Sequence, residues 1–109
     1  MNNVVWTIAS SDSSAGAGIQ ADLRTFHGLG ADGCSVISAV TAQNSQSVQL
    51  VESVSEKMFT QQLASLAEDM PAKVIKIGLI ASVEHVNILA QELALYKQTW
   101  SQKPFVIYD

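Results

Sequence analysis

Ser10-Ser11-Asp12-Ser13-Ser14-Ala15-Gly16-Ala17-Gly18-Ile19-Gln20-Ala21-Asp22 lies between a short apolar run, Val4 to Ala9, and an amphipathic segment. The apolar run is β-branched and aromatic, ends in serines, and reads as a buried strand. Beyond the glycines, Ile19, Leu23 and Phe26 recur at i, i+4 and i+7, which gives one apolar helical face. Leu29-Gly30 is the helix stop, with Gly30 free to turn left-handed. Small residues therefore crowd the point where a strand hands over to a helix. In open α/β sheets ligands bind at that handover, outside the carboxyl ends of parallel strands. Glycines there allow close backbone approach, and a helix start offers free N–H groups to an anion or a polar ring.

The rest of the chain repeats this alternation. Cys34 to Val40 is apolar on both alternating positions, as suits a parallel strand covered on both faces. A polar loop around Gln43 to Gln46 leads to a weaker strand, Val48 to Val51. Ser55 caps a helix carrying Phe59, Leu63, Leu66 and Met70 on one face, and Pro71 ends it. Val74 to Ile77 is a third main strand, interrupted by Lys76. Ser82 caps a helix with Val86, Leu89, Ala90 and Leu93 on one face, and Phe105 to Tyr108 is the fourth main strand. Strands alternating with helices imply right-handed crossovers and a mostly parallel, doubly wound sheet in three layers. The expectation is one α/β unit over residues 1–109, incomplete at its carboxyl end because no helix follows Asp109 to cover the last strand. Its open edge favours homo-oligomerisation.

Composition narrows the functional classes. With 48% hydrophobic and 15% charged residues the chain is expected to bury a core. A formal charge of −4, with six basic residues scattered singly, argues against a nucleic-acid partner. The amino-terminal apolar run is too short for a signal peptide or membrane span, and the single cysteine, Cys34, mildly favours a reducing compartment; a cytoplasmic location is the expectation. Cys34 reads as a small core residue, and His27 and His85 as surface residues on helices.

At the carboxyl ends of the four main strands stand Ser10 to Asp12, Thr41 to Asn44, Gly78-Leu79 and Asp109. These polar or glycine positions mark a binding crevice. Two nucleotide motifs compete with that reading. Gly16, Gly18 and Ala21 satisfy the dinucleotide fingerprint, but the glycines begin six residues after the strand, and the second strand ends without an acid for a ribose. A phosphate-binding Walker loop is excluded, since no Gly-Lys-[Ser/Thr] follows. Gln43 can both donate and accept, so it can pair with a ligand edge that presents an acceptor beside a donor. Asp12 either orients a hydroxyl or bonds nearby loop amides as an Asx turn.

The glycine stretch together with Thr41-Ala42-Gln43-Asn44 resembles the hydroxymethylpyrimidine/phosphomethylpyrimidine kinases of thiamin biosynthesis, of the ribokinase-like superfamily. The resemblance covers nearly the whole chain but only the amino-terminal part of the kinase domain. It implies ATP-dependent phosphorylation of 4-amino-5-hydroxymethyl-2-methylpyrimidine and then its monophosphate, with ATP and Mg²⁺ as cofactors. The substrate-binding set it implies is Ser10, Asp12, Gln43 and Leu79, with Leu79 standing where the family has methionine as an apolar wall. Asp109 matches an aspartate near the magnesium and phosphates, and the catalytic residues are expected beyond it. Gln20 and Asp22 are also shared, in solvent-facing or helix-anchoring roles. A ribokinase-like kinase acting on a pyridoxal-type ring and a non-catalytic pyrimidine-binding fragment are the alternatives. Two departures stand out: Ser10 and Ala15 occupy positions where the family has glycine. An added Cβ would strain either backbone if it needed positive φ.

Overall fold

A computed structural model describes residues 2–109. The elements run β1 (Val4–Asp12), α1 (Gly18–Gly28), β2 (Asp32–Gln43), β3 (Val48–Ser53), α2 (Glu56–Asp69), β4 (Val74–Ile77), α3 (Val83–Thr99) and β5 (Phe105–Tyr108). They form one five-stranded sheet in the order β3-β2-β1-β4-β5. β2, β1, β4 and β5 are mutually parallel, and β3 alone runs antiparallel against β2. All four parallel strands therefore end at one edge of the sheet, as the sequence pattern requires.

Alternation along β1 assigns the two faces. Trp6 and Ile8 point into a core with Val36, Ile75 and Ile77 of the sheet, Phe59 and Leu63 of α2, and Leu89, Leu93 and Tyr96 of α3. Thr7 points the other way and meets Asp22 of α1 at 2.6 Å. Helices thus cover both faces, giving three layers. Ser55 and Ser82 cap α2 and α3 by accepting from the Met58 and His85 amides, and Gly30 turns left-handed (φ +78°) after α1.

Three expectations need correction. Helix α3 buries His85, Leu89, Leu93 and Tyr96, while Val86 and Ala90 stay exposed. The helix turns this way because Tyr96 fits edge-on to Trp6 and flat on Trp100, removing more apolar area than Val86 and Ala90 offer. His85 is accordingly not a surface residue: it is buried, edge-on to Phe59, with Nε2 2.8 Å from the Val54 carbonyl. The first two strands also outrun their apolar cores. Ser10, Ser11 and Asp12 stay in the ladder opposite Ala39, Val40 and Thr41, because backbone pairing is indifferent to side-chain polarity once the partner strand is alongside.

A bulge separates Ala9 and Ser10 from Ile37 and Ala39, leaving Ser38 as the extra residue of β2. The surrounding backbone is nonetheless satisfied. The Gln62 carboxamide accepts from the Ile37 amide at 2.8 Å and donates to its carbonyl at 2.9 Å, and the Ser38 carbonyl accepts from the Val54 amide. Among the described residues no helix is long and apolar enough to cross a membrane.

Candidate functional site

The carboxyl end of β1 is organised by Asp12. One carboxylate oxygen accepts from the Ser14 amide at 2.8 Å and the Ser14 hydroxyl at 2.7 Å; the other accepts from the Ala17 amide at 2.8 Å. The Ala15 amide donates to the Asp12 carbonyl at 3.0 Å. Of the two sequence-level alternatives, the Asx turn is the one observed. The Ser14 hydroxyl, aided by the loop amides and opposed by burial, holds Asp12 below the usual carboxylate range. The chain's own carboxylate thus takes up the Ser14 and Ala17 amides of the turn that leads into α1, while the helix start itself has no side-chain cap.

Two backbone positions in this loop are left-handed. Gly18 (φ +64°) needs to be glycine twice over, since a Cβ there would collide with the Ser10 carbonyl oxygen. Ala15 (φ +64°) is the only non-glycine residue with positive φ among those described. Of the two departures from the family's glycines, Ala15 therefore carries strain and Ser10, in an extended strand, does not. Arg24 donates to the Ala15 carbonyl at 2.7 Å and helps to hold the turn.

The loop is fastened to the end of β2. Ser13 Oγ donates to the Gln43 carbonyl at 2.6 Å and accepts from the Gln43 amide at 2.8 Å, a two-way clamp. Thr41 Oγ1 lies 3.0 Å from the Ser11 carbonyl and 3.2 Å from Gln43 Oε1. A hydroxyl has one proton, and the Ser11 carbonyl is the nearer acceptor. The Gln43 carboxamide oxygen is the second, longer acceptor of the same hydroxyl, so the carboxamide is tethered to Thr41 at its oxygen end. Gln20 completes the set: it accepts from the Asp12 amide at 2.8 Å and donates to Ser11 Oγ at 2.7 Å. Its role is to anchor the helix.

The carboxyl ends of β4 and β5 are more open. Leu79 follows β4 with its side chain 63% exposed, and its carbonyl accepts from the buried Ser38 hydroxyl at 3.0 Å. Asp109 follows β5, its amide donating to the Ile77 carbonyl at 3.0 Å and its carboxylate 3.3 Å from Lys76 Nζ. Lys76 also meets both Asp22 oxygens, at 2.9 and 3.1 Å. Burial would lower the Lys76 ammonium, but the hydrogen bonds and charges of Asp22 and Asp109 outweigh it and leave Lys76 above its ordinary value. Topology therefore brings Ser10, Asp12, Gln43, Leu79 and Asp109 to one sheet edge. A cleft of about 720 Å³ lies at the opposite edge between Val4, Met70 and Trp100.

Sequence reasoning missed Ser13 and the pairing of Lys76. Nothing distinguishes Ser13 from its serine neighbours, since its clamp depends on β2 lying alongside. Lys76 did carry a signal, because a lysine inside an apolar strand needs a carboxylate partner.

The family model for phosphomethylpyrimidine kinase matches residues 12–106. The chain belongs to the phosphomethylpyrimidine kinase family. It is 46% identical over 91 residues to the hydroxymethylpyrimidine/phosphomethylpyrimidine kinase of Escherichia coli, an alignment covering 84% of this chain and 34% of that enzyme. Among solved structures it superposes on phosphomethylpyrimidine kinase from Clostridium difficile with a TM-score of 0.89 at 41% identity, over 97% of this chain and 44% of that one. A Staphylococcus aureus pyridoxal kinase solved with AMP-PCP and pyridoxal superposes with a TM-score of 0.80 at 29% identity, over 100% of this chain and 39% of that one. The chain spans about a third of the length of the hydroxymethylpyrimidine/phosphomethylpyrimidine kinases it matches, and less than a fifth of the longer bifunctional thiamine-biosynthesis enzymes. The matched kinases confirm the α/β fold expected for the resemblance.

Proposed function

We propose that this chain supplies the pyrimidine-recognising part of an ATP-dependent kinase acting on 4-amino-5-hydroxymethyl-2-methylpyrimidine and then on its monophosphate. On this reading residues 1–109 are the amino-terminal part of one kinase domain, working in the cytoplasm where ATP is supplied. The observation that carries it is the Gln43 carboxamide, tethered to Thr41 while its backbone is clamped by Ser13, on the same sheet edge as Ser10, Asp12 and Leu79. An amide held at one end presents its remaining donor or acceptor in a fixed direction, and a second pairing can come from neighbouring backbone. Leu79 serves as the apolar wall for the ring, and its volume matches the methionine it replaces. Asp12 acts through the loop it folds.

Magnesium fits the far end in a restricted way. Among the described residues no group of three or more acidic, histidine or cysteine side chains converges as a metal site. Mg²⁺ bound to a nucleotide needs only one or two carboxylates, its other ligands being phosphate oxygens and water. The exposed Asp109 carboxylate suits that role. Bound there, the ion would offset charge on the transferring phosphoryl group.

The test is a chimera in which residues 1–109 replace the matching segment of the Escherichia coli enzyme. It is expected to phosphorylate the hydroxymethylpyrimidine with ATP. Gln43→Leu in the chimera should cost about 1–3 kcal/mol in kcat/KM, roughly 5- to 150-fold, with ATP KM little changed. A chimera that prefers pyridoxal would move the chain to the other vitamin kinases. An unaltered pyrimidine KM with a raised ATP KM would reverse the assignment of Gln43.

A further inference from the structure

Lys76 is an ammonium in a strand otherwise made of Val74, Ile75 and Ile77, with about a fifth of its side chain exposed. A lone charge in that setting is costly, and two carboxylates answer it. They are not equivalent. Asp22 is mostly buried on α1, takes the Thr7 hydroxyl as well as Lys76, and contacts the ammonium with both oxygens. Asp109 is 74% exposed at the sheet edge and reaches the same ammonium at 3.3 Å, while its amide is fixed to Ile77. Two carboxylates and one ammonium leave one negative charge. Asp22 cancels the lysine inside, so the surplus sits on Asp109 at the edge.

We propose that Lys76 is a positioning residue: it aims the Asp109 carboxylate at the magnesium–phosphate group, while Asp22 keeps that carboxylate's charge from being cancelled. This rests on the reading of Asp109 given above. It also ties that end of the site to α1, the helix that begins at the Asp12 loop. An exposed ion pair alone would hold Asp109 weakly; the ammonium can direct it because Asp22 has already fixed the ammonium.

The test uses the isotope-labelled 109-residue chain and reads the side-chain rotamer of Asp109 from its Hα–Hβ couplings. Wild type and Lys76→Arg should show one dominant rotamer. The double variant Asp22→Asn/Lys76→Met, which leaves no buried carboxylate unpaired and so protects the fold, should lose it and average among rotamers. Averaging in the wild type, or a single rotamer surviving in the double variant, overturns the positioning role. Substoichiometric Mn²⁺, added to the chain with its α-carboxyl amidated, reads the metal separately: it should broaden the signals of Asp109 and Tyr108 in wild type and much less in Asp109→Asn. No broadening beside an intact single rotamer would overturn the metal reading of Asp109 and, with it, the functional half of the proposal. Broadening beside a rotamer indifferent to Lys76 would overturn the part given to Lys76 alone.

Discussion

The two halves of the sheet edge are built differently. At the ends of β1 and β2, Ser11, Asp12, Ser13, Ser14, Gln20, Thr41 and Gln43 hydrogen-bond to one another within a few residues of the loop. At the ends of β4 and β5, Leu79 and Tyr108 stand largely exposed and the exposed Asp109 carboxylate meets the Lys76 ammonium at 3.3 Å. The first half is organised before any ligand arrives; the second offers an apolar wall and a charge with little around them. A site that must read a small ring benefits from such preorganisation, since ordering costs are met on folding and not on binding. On the proposed reading, the Asp109 carboxylate shares a cation with nucleotide phosphates and needs only to be aimed.

The contrast can be broken most severely at Gly18. Gly18→Ala combines a left-handed backbone with a Cβ driven into the Ser10 carbonyl, and should destabilise the chain by about 3 kcal/mol or more in urea titration. Leu79→Ala, at the open end, should change stability by less than about 0.5 kcal/mol, because the side chain is mostly in solvent. Similar losses at both positions would erase the distinction between the two halves.

Acid should separate them next. Folding depresses the Asp12 carboxyl, so its stabilisation is complete above the ordinary carboxylate value and is lost as pH falls through the folded one. Wild-type Tm should therefore drop below about pH 4, and Asp12→Asn should show a shallower drop from a lower starting Tm. Parallel curves would mean that the loop does not depend on this charge.

The smallest effect runs the other way. Ala15→Gly relieves roughly 1–2 kcal/mol of left-handed strain against about 0.5–1 kcal/mol of added unfolded-state entropy. The net gain should be about 0.5–1 kcal/mol by urea titration. A loss would show that Arg24 and the Asp12 loop, and not the residue type, decide that turn.

What the sequence revealed follows the same division. The order of elements, both serine caps, the parallel strands and the shared edge were legible, because they rest on local periodicity and punctuation. The face of α3 was misjudged: spacing alone could not weigh Val86 against His85, whose ring finds the Val54 carbonyl only once β3 has folded back. The positive φ at Ala15 was foreseeable only as a condition, since it depends on how Asp12 draws the loop in. The Ser13 clamp was invisible for the same reason: its partner, Gln43, lies thirty residues away.

The central claim is that the ends of β1 and β2 already form a pyrimidine-reading surface in this chain. Titrating the labelled 109-residue chain with 4-amino-5-hydroxymethyl-2-methylpyrimidine, and following backbone amide shifts, tests it directly. The account predicts shifts concentrated at residues 10–14, 41–44 and 78–79, with affinity reduced about tenfold in Gln43→Leu, as expected for about 1.4 kcal/mol of lost pairing. Shifts centred on the Met70–Trp100 cleft at the opposite edge, or an affinity indifferent to Gln43, would contradict it.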